Sequence, residues 1–274
     1  MSVKIHREVG LVGFICPITG ENVHLDEHCV KCHTPCEPLP LLAAMLEGVR
    51  GVVKGVYSAT ELVKPRQCVY LERNFPYYTT PESNLWSVYG TALHKVIETG
   101  LDENNDFLFK NRYIYEKRFD VKVNGATLRG TPDLYDTQTK TLWDWKTVKY
   151  YYTGKFLLEH NWDESTYREQ LNIYRTFFFP KAEHLKLKLL VRDHNYRMKK
   201  ECPSPSVTIT VPIMGESEVR EFVSRRLEES LEDQETGSPP PCSEKETWFK
   251  NGRYYRCEDY CGGKAYCQQY KEVT

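Results

Sequence analysis

Hydrophobic positions change their spacing several times along this chain. The first forty residues show little periodicity, and an apolar run follows over residues 41–46. Residues 51–57 read as a short strand. Ser58 followed by Glu61 has the form of a capping box and predicts a helix start. Leu85, Val88, Ala92, Leu93 and Val96 fall on one stripe and predict a helix over residues 83–99. The period then shortens. Tyr113, Tyr115, Phe119, Val121 and Val123 alternate with mainly polar residues, as in a strand. Asn124-Gly125 is a hairpin turn signal, because both positions tolerate positive φ. A second strand is expected to run to about Tyr135, a turn over residues 136–140, and a third strand over 141–149. A helix over 163–179 would place Tyr167, Leu171, Tyr174 and Phe178 on one face. Strands are expected at 185–192 and 206–211, and a helix at 216–231 with Val219, Phe222, Val223, Leu227 and Leu231 in register. Residues 235–241 form a Gly/Ser/Pro linker. Together these elements predict an α/β fold with a helix, a three-stranded meander, a helix and further strands.

Length and charge narrow the class. The 274 residues fit one large domain or a core with a small appendage, and 40% are hydrophobic. A net charge of −1 argues against a passive nucleic-acid coat. It leaves room for an enzyme whose basic groove balances an acidic metal site. No run approaches the roughly 18 apolar residues of a membrane span. The run over residues 10–16 ends in no cleavage site, so no secretory signal is expected. A cytoplasmic, intracellular protein follows as the expectation. In such a reducing compartment the ten cysteines are better read as metal ligands or buried thiols than as disulfides. Four lie between Cys16 and Cys36 and four between Cys242 and Cys267, with Cys68 and Cys202 apart. Three segments are expected: a Cys-rich arm over 1–50, a core over 51–234, and a linker with a Cys-rich tail over 235–274 that packs back on the core.

The sharpest chemical signal is Gly130-Thr-Pro-Asp133, a hairpin's length, then Asp144-Trp-Lys146. Side chains two apart on a strand share a face, so Asp144 and Lys146 point together and Trp145 points away. Pairing about the 136–140 turn brings Asp133 close to Asp144. Two carboxylates beside an ammonium suit a hard divalent cation such as Mg²⁺ or Mn²⁺, which accepts phosphate oxygens. Lys146 can orient or deprotonate a water or stabilise phosphoryl oxyanions. A surface hairpin with a cross-strand salt bridge would use the same residue types.

Four motifs in order resemble the RecB-like branch of the PD-(D/E)XK nucleases: Gly90-Thr-Ala-Leu-His94, Gly130-Thr-Pro-Asp133, Asp144-Trp-Lys146-Thr147 and Gln170-Leu-Asn-Ile-Tyr174. The resemblance runs over roughly residues 58–267 and implies a restriction-endonuclease-like core, a central mixed sheet flanked by helices. It implies that His94, Asp133, Asp144 and the Trp145 carbonyl ligate the metal, with Lys146 as the catalytic lysine. Gln170 and Tyr174, four apart on a helix, would face the site or the DNA. A helix-surface histidine and plain core packing are the alternatives for His94 and Tyr174. Glu116 either supports the site or is a solvated charge.

Iron–sulfur members of this branch carry one cysteine before the core and three after it. The resemblance therefore implies a cluster, [4Fe–4S] in the first instance, on Cys68, Cys257, Cys261 and Cys267. The tail spacing has three residues between Cys257 and Cys261 where the family has two, which leaves Cys242 as an alternative ligand. Zinc at the same thiols is the other reading. The head group Cys16, Cys29, Cys32 and Cys36 has knuckle-like spacing that suits tetrahedral Zn²⁺, with His24, His28 or His33 able to replace one thiolate. Cys202 reads as a buried thiol. The expected function is a metal-dependent DNA exonuclease acting at ends or single strands. Tyr150, Tyr151 and Tyr152, with Lys149 and Lys155, are candidates to stack bases and hold phosphates. An endonuclease on the same chemistry, and a non-catalytic cluster protein serving recombination, repair or CRISPR-adaptation partners, are the alternatives.

Overall fold

The computed structural model describes residues 8–47, 51–162, 165–198 and 200–272. The start expected for the 163–179 helix, both ends of the expected arm and the Tyr152 side chain lie outside what is described. The elements in chain order are β1 (Gly10–Ile15), β2 (Asn22–Val23), α1 (Leu39–Glu47), β3 (Val56–Ser58), α2 (Ala59–Leu62), α3 (Arg66–Asn74), β4 (Pro76–Thr79) and α4 (Pro81–Asn104). The central strands are β5 (Tyr113–Tyr115), β6 (Phe119–Val123), β7 (Ala126–Gly130), β8 (Leu134–Asp136) and β9 (Thr141–Val148). Then come α5 (Lys155–Leu158), α6 (Tyr167–Phe177), β10 (His184–Val191), β11 (Ser206–Thr210) and α7 (Glu216–Thr236). The tail adds α8 (Glu244–Thr247), β12 (Phe249–Lys250), β13 (Arg253–Tyr254), α9 (Tyr255–Asp259) and α10 (Gln268–Lys271). The protein is mixed α/β, and among the described residues no helix is long and apolar enough to cross a membrane.

The described residues divide into two compact units. One takes Met1–Lys54, Lys64–Thr91 and Glu228–Thr274, and the other takes Gly55–Val63 and Ala92–Leu227. The division differs from three serial segments: the arm, the Cys68 helix and the tail belong together.

In the second unit a five-stranded sheet has the order β11-β10-β9-β8-β5. Strands β9 and β10 pair in parallel from Thr141 with His184 to Val148 with Val191, and the other pairs are antiparallel. Parallel neighbours need a crossover, and α6 supplies it. Its buried residues Leu171, Ile173 and Tyr174 cover the face that carries Leu185, Leu187 and Leu189. The capping box at Ser58 forms as the sequence predicts, with Ser58 Oγ accepting from the Glu61 N–H at 3.2 Å.

The expected meander is split between two sheets. Strands β6 and β7 do form the Asn124-Gly125 hairpin, with φ of 45° and 80°, but they join β3 in a separate sheet, while β5 and β8 pair with each other beside β9. Two local features cause the split. Glu116 breaks the first strand at φ 44°, and Pro132, which has no N–H to donate, breaks the second. Gly130 fits the break because a β-carbon there would stand 2.1 Å from the Phe178 ring. The helical pattern at 83–99 does form α4, but Val96 is exposed and the stripe is only half-buried at Leu85 and Val88.

Asp136 ties the β8–β9 turn down. It accepts from Arg112 Nε at 2.8 Å, from the Gln138 and Thr139 N–H groups at 3.0 and 3.2 Å, and from Thr139 Oγ1 at 2.8 Å. The Arg112 guanidinium, helped by Thr139 and Gln138 against the cost of burial, holds this carboxyl well below the usual carboxylate range. The folded form thus resists protonation more than the unfolded one. Its stabilisation is full above the unfolded value near pH 4 and is lost as pH falls toward the folded value. Asp136→Ala is expected to cost about 2–3 kcal/mol at pH 7. The gap between the two thermal unfolding curves should narrow at pH 3, and an unchanged gap would contradict the assignment.

Candidate metal centre and cysteine sites

Three ligand groups meet at the broken ends of the central strands. His94 on α4, Glu116 after β5 and Asp133 before β8 offer ligand atoms that all lie within 4.8 Å of one another. His94 Nδ1 stands 3.0 Å from Glu116 Oε1 and 3.7 Å from Asp133 Oδ1. Asp133 Oδ2 accepts the Trp145 N–H at 2.7 Å, so the carboxylate is clamped on β9. Continuing the β8–β9 register one step past Leu134 and Trp143 sets Asp133 opposite Asp144.

Asp144 is 1% exposed, and its Oδ2 lies 2.6 Å from Lys146 Nζ. A buried carboxylate costs free energy unless a charge meets it, and the Lys146 ammonium supplies that charge. Burial opposes the charge on Lys146, yet Asp144 and Asp133 outweigh it and raise its pKa, so the ammonium stays charged. Its Nζ also lies 5.2 Å from the Tyr167 ring centroid. Burial first, then the Asp144 charge, push Asp133 up to about 7 against the pull of Lys146 and His94. The Glu116 hydrogen bond raises His94 above its ordinary value, against desolvation. Such carboxylate crowding is what a divalent cation would relieve.

Gln170 and Tyr174 are both buried, and Gln170 Nε2 donates to the Tyr174 hydroxyl at 3.1 Å. Burial, then the Asp144 charge, push Tyr174 up to about 12. Both are packed residues that satisfy each other in the core. Trp145 presents its ring to the opposite sheet face, 6.1 Å from that of Trp143. Among the tyrosines after Lys146, Tyr150 is buried, whereas Tyr151 is 65% exposed. Of these two, Tyr151 is the one with an open ring. Glu116 is the residue whose place sequence patterning left undecided. Its positive φ is invisible in the alternation of β5 and β6, and backbone outliers of this kind gather at functional sites.

In the first unit the tail cysteines converge with Cys68. Cys68, Cys242, Cys257, Cys261 and Cys267 line one small cavity. The Cys68 thiol lies beside those of Cys242 and Cys261: the Cys242 contact, with burial, raises Cys68 against the pull of Cys261, and the Cys68 contact, with burial, raises Cys261. Glycines let the tail approach closely: a β-carbon on Gly262 would meet the Tyr77 ring at 2.5 Å, and one on Gly263 would meet Leu71 Cβ at 2.4 Å. Cys242 is held by Gln269, which accepts its N–H at 2.9 Å and donates to its carbonyl at 2.8 Å. Five thiols, not four, are therefore gathered.

The head cysteines Cys16, Cys29, Cys32 and Cys36 line a separate cavity of about 400 Å³. Burial, then the charges of the other three thiols, raise Cys29. The Cys16 loop closes through Gly20 N–H to Cys16 carbonyl at 2.8 Å, and Cys32 N–H donates to the Cys29 carbonyl at 3.1 Å across a 3₁₀ turn. His24 is engaged with the Tyr78 hydroxyl at 3.1 Å. Cys202 is buried and donates to the Ser204 carbonyl at 3.2 Å.

Among the described residues, no three of these sulfurs come within 4.8 Å of one another. A single tetrahedral Zn²⁺ draws its thiolates to about 3.8 Å apart, from Zn–S bonds near 2.3 Å. In the tail set Cys68, Cys261 and Cys267 are buried, and Cys242 and Cys257 are half-buried. The exposed Cys32 and Cys36 of the head are free of packing that would stop them closing on one ion. No protein-family model and no curated protein matches the chain. Among solved structures it is similar to one described as "Crystal structure of SSO0001", at 18% identity over 83% of this chain and 94% of that one, with a TM-score of 0.48. A likeness that loose carries no weight for activity.

Proposed function

We propose that this chain is a metal-dependent DNA nuclease of the RecB-like PD-(D/E)XK class, acting on DNA ends. The observation that carries the reading is the buried Asp144, ion-paired with Lys146, at the same strand ends that gather Asp133, Glu116 and His94. The mixed five-stranded sheet and the crossover helix α6 support the reading of a restriction-endonuclease-like core.

The donor set fits a Mg²⁺ or Mn²⁺ ion. Carboxylate oxygens suit both metals, and the His94 nitrogen favours Mn²⁺. Asp133, Asp144, His94 and the Trp145 carbonyl would hold it, with Glu116 as a further carboxylate. When bound, the cation polarises the scissile phosphate and lowers the pKa of a water. Lys146 remains charged and stabilises the oxyanion that forms on the phosphate. Glu116 orients the His94 ring through Nδ1. Gln170 and the Tyr174 hydroxyl satisfy each other, within reach of the Asp144 charge.

The tail thiols fit an iron–sulfur cluster on Cys261, Cys267, Cys68 and one of Cys242 or Cys257. The head thiols fit Zn²⁺. The partners of this reading are DNA ends or single strands, and proteins of repair, recombination or CRISPR adaptation.

The test is cleavage of end-labelled linear DNA and of a covalently closed circle of the same sequence, with Mn²⁺ and with EDTA. Linear DNA should be degraded at least about tenfold faster than the circle, and EDTA should stop both. Equal rates would favour an endonuclease, and no cleavage of either would overturn the nuclease reading.

A further inference from the structure

The face of the five-stranded sheet turned away from Asp144 and Lys146 carries an open groove of about 540 Å³. Its lining comes from β5, β8, β9, β10 and adjoining turns, with no helical residue among it. A largely antiparallel sheet can leave one face to solvent, and among the described residues no helix contributes to this groove.

The residues on it follow from strand alternation. On β9 the inward residues are Leu142, Asp144 and Val148, which leaves Trp143 and Trp145 half-exposed on the other side. On β10, Leu185, Leu187 and Leu189 are buried, and Lys186 and Lys188 lie outward. The register sets Lys186 beside Trp143 and Lys188 beside Trp145. Lys186 Nζ lies 5.0 Å from the Trp143 ring centroid, and the two indoles are within 13° of parallel. Tyr113 and exposed His184 lie at the groove's two sides. Arg112 is already committed to Asp136, so Lys186 supplies the charge in the groove, and Lys188, whose Nζ donates to Thr208 Oγ1 at 3.3 Å on β11, supplies a second charge beside it.

We propose that this sheet face binds single-stranded nucleic acid, stacking bases on Trp143 and Trp145 and holding phosphates with Lys186 and Lys188. Aromatic rings aligned on a sheet beside basic side chains are a sequence-tolerant platform, because every base has a π-face and every link a phosphate. The local charge is positive on a chain whose net charge is −1, so the complementarity belongs to this face and not to the molecule as a whole. A second copy of the chain is disfavoured as occupant, since a two-fold contact would bring each lysine pair against its own like charge. The site goes beyond the cleavage chemistry and does not depend on it.

The experiment measures binding of fluorescein-labelled oligo(dT) to the full chain in EDTA, by anisotropy and by quenching of tryptophan fluorescence. Trp143→Ala should weaken binding about tenfold. The double variant Lys186→Ala/Lys188→Ala should reduce the slope of log affinity against log salt by about 1.4. Cleavage of linear DNA is followed in parallel, so that failure of the nuclease reading and failure of this one are read separately. Wild-type affinity and salt slope in the lysine variant, which leaves the core untouched, would overturn the proposal. So would a change from dimer to monomer on Trp143→Ala with no change in oligo(dT) affinity, which would make the face a contact between copies.

Discussion

Alanine at Asp144 is expected to abolish Mn²⁺-dependent DNA cleavage, by about 10³-fold or more, and also to destabilise the fold. The two losses have different causes. Activity falls because a metal carboxylate is gone. Stability falls because Lys146 is left as an uncompensated charge beside a buried vacancy, a loss of about 3–5 kcal/mol for a broken buried pair. A double variant, Asp144→Asn with Lys146→Met, removes both charges together. It should regain most of the stability and none of the activity, because a buried ion pair contributes little over a well-packed neutral replacement. Thermal unfolding and end-labelled cleavage on the same three proteins separate the effects. Full nuclease activity in Asp144→Ala would refute the metal centre outright.

Serine at Cys261 should strip the iron and its colour from anaerobically purified protein and unfold the first unit. Cys261 is buried, contacts Cys68 on α3 and sits at the start of the glycine-mediated approach to Tyr77 and Leu71. Metal binding free energy here is folding free energy, since the thiols come from distant parts of the chain. Cys32→Ser should release zinc and leave the colour unchanged, because Cys32 lines the other cavity. With five thiols around one site, only one of Cys242→Ser and Cys257→Ser should bleach the sample. The non-ligand is free to be alkylated by a thiol reagent in the folded protein. Colourless protein holding zinc alone, despite iron supply, would replace the cluster with a second zinc site.

The parts of the fold that announced themselves in sequence are those decided within a few residues. Ser58 and Glu61 cap α2, Asn124-Gly125 turns β6 into β7, and the residues from Asp136 to Lys140 turn β8 into β9, because each depends on local backbone chemistry. The Asp144–Lys146 pair was legible for the same reason, since alternation alone puts both on one face. The split of the meander was not. Whether β5 and β6 form one strand or two depends on Glu116 at φ 44° and on which partners each half finds across the sheet. For Tyr150 the sequence left base stacking and ordinary packing both open, because a tyrosine in that position suits either. Here Asp193 takes its backbone N–H at 2.8 Å and the ring is buried. Among the five thiols of that cavity, Cys242 was named only as a substitute. Nothing in spacing tells that Gln269 carries Cys242 to the same cavity.

The discontinuity of the first unit has a consequence for synthesis. Its parts lie on both sides of the second unit in the chain: Arg66 pairs with Asp233, and Cys68 meets Cys261. Synthesis makes the strands from β5 to β11 together, and they can assemble before residues 235–274 exist. Helix α3, made earlier, must wait for its partners on α7 and the tail. During that interval its Cys68 and Leu71 side chains lack their tail contacts, which makes this segment a part of the nascent chain in need of a chaperone. Any metal held by Cys68 together with the tail cysteines would have to arrive after Cys267 is made.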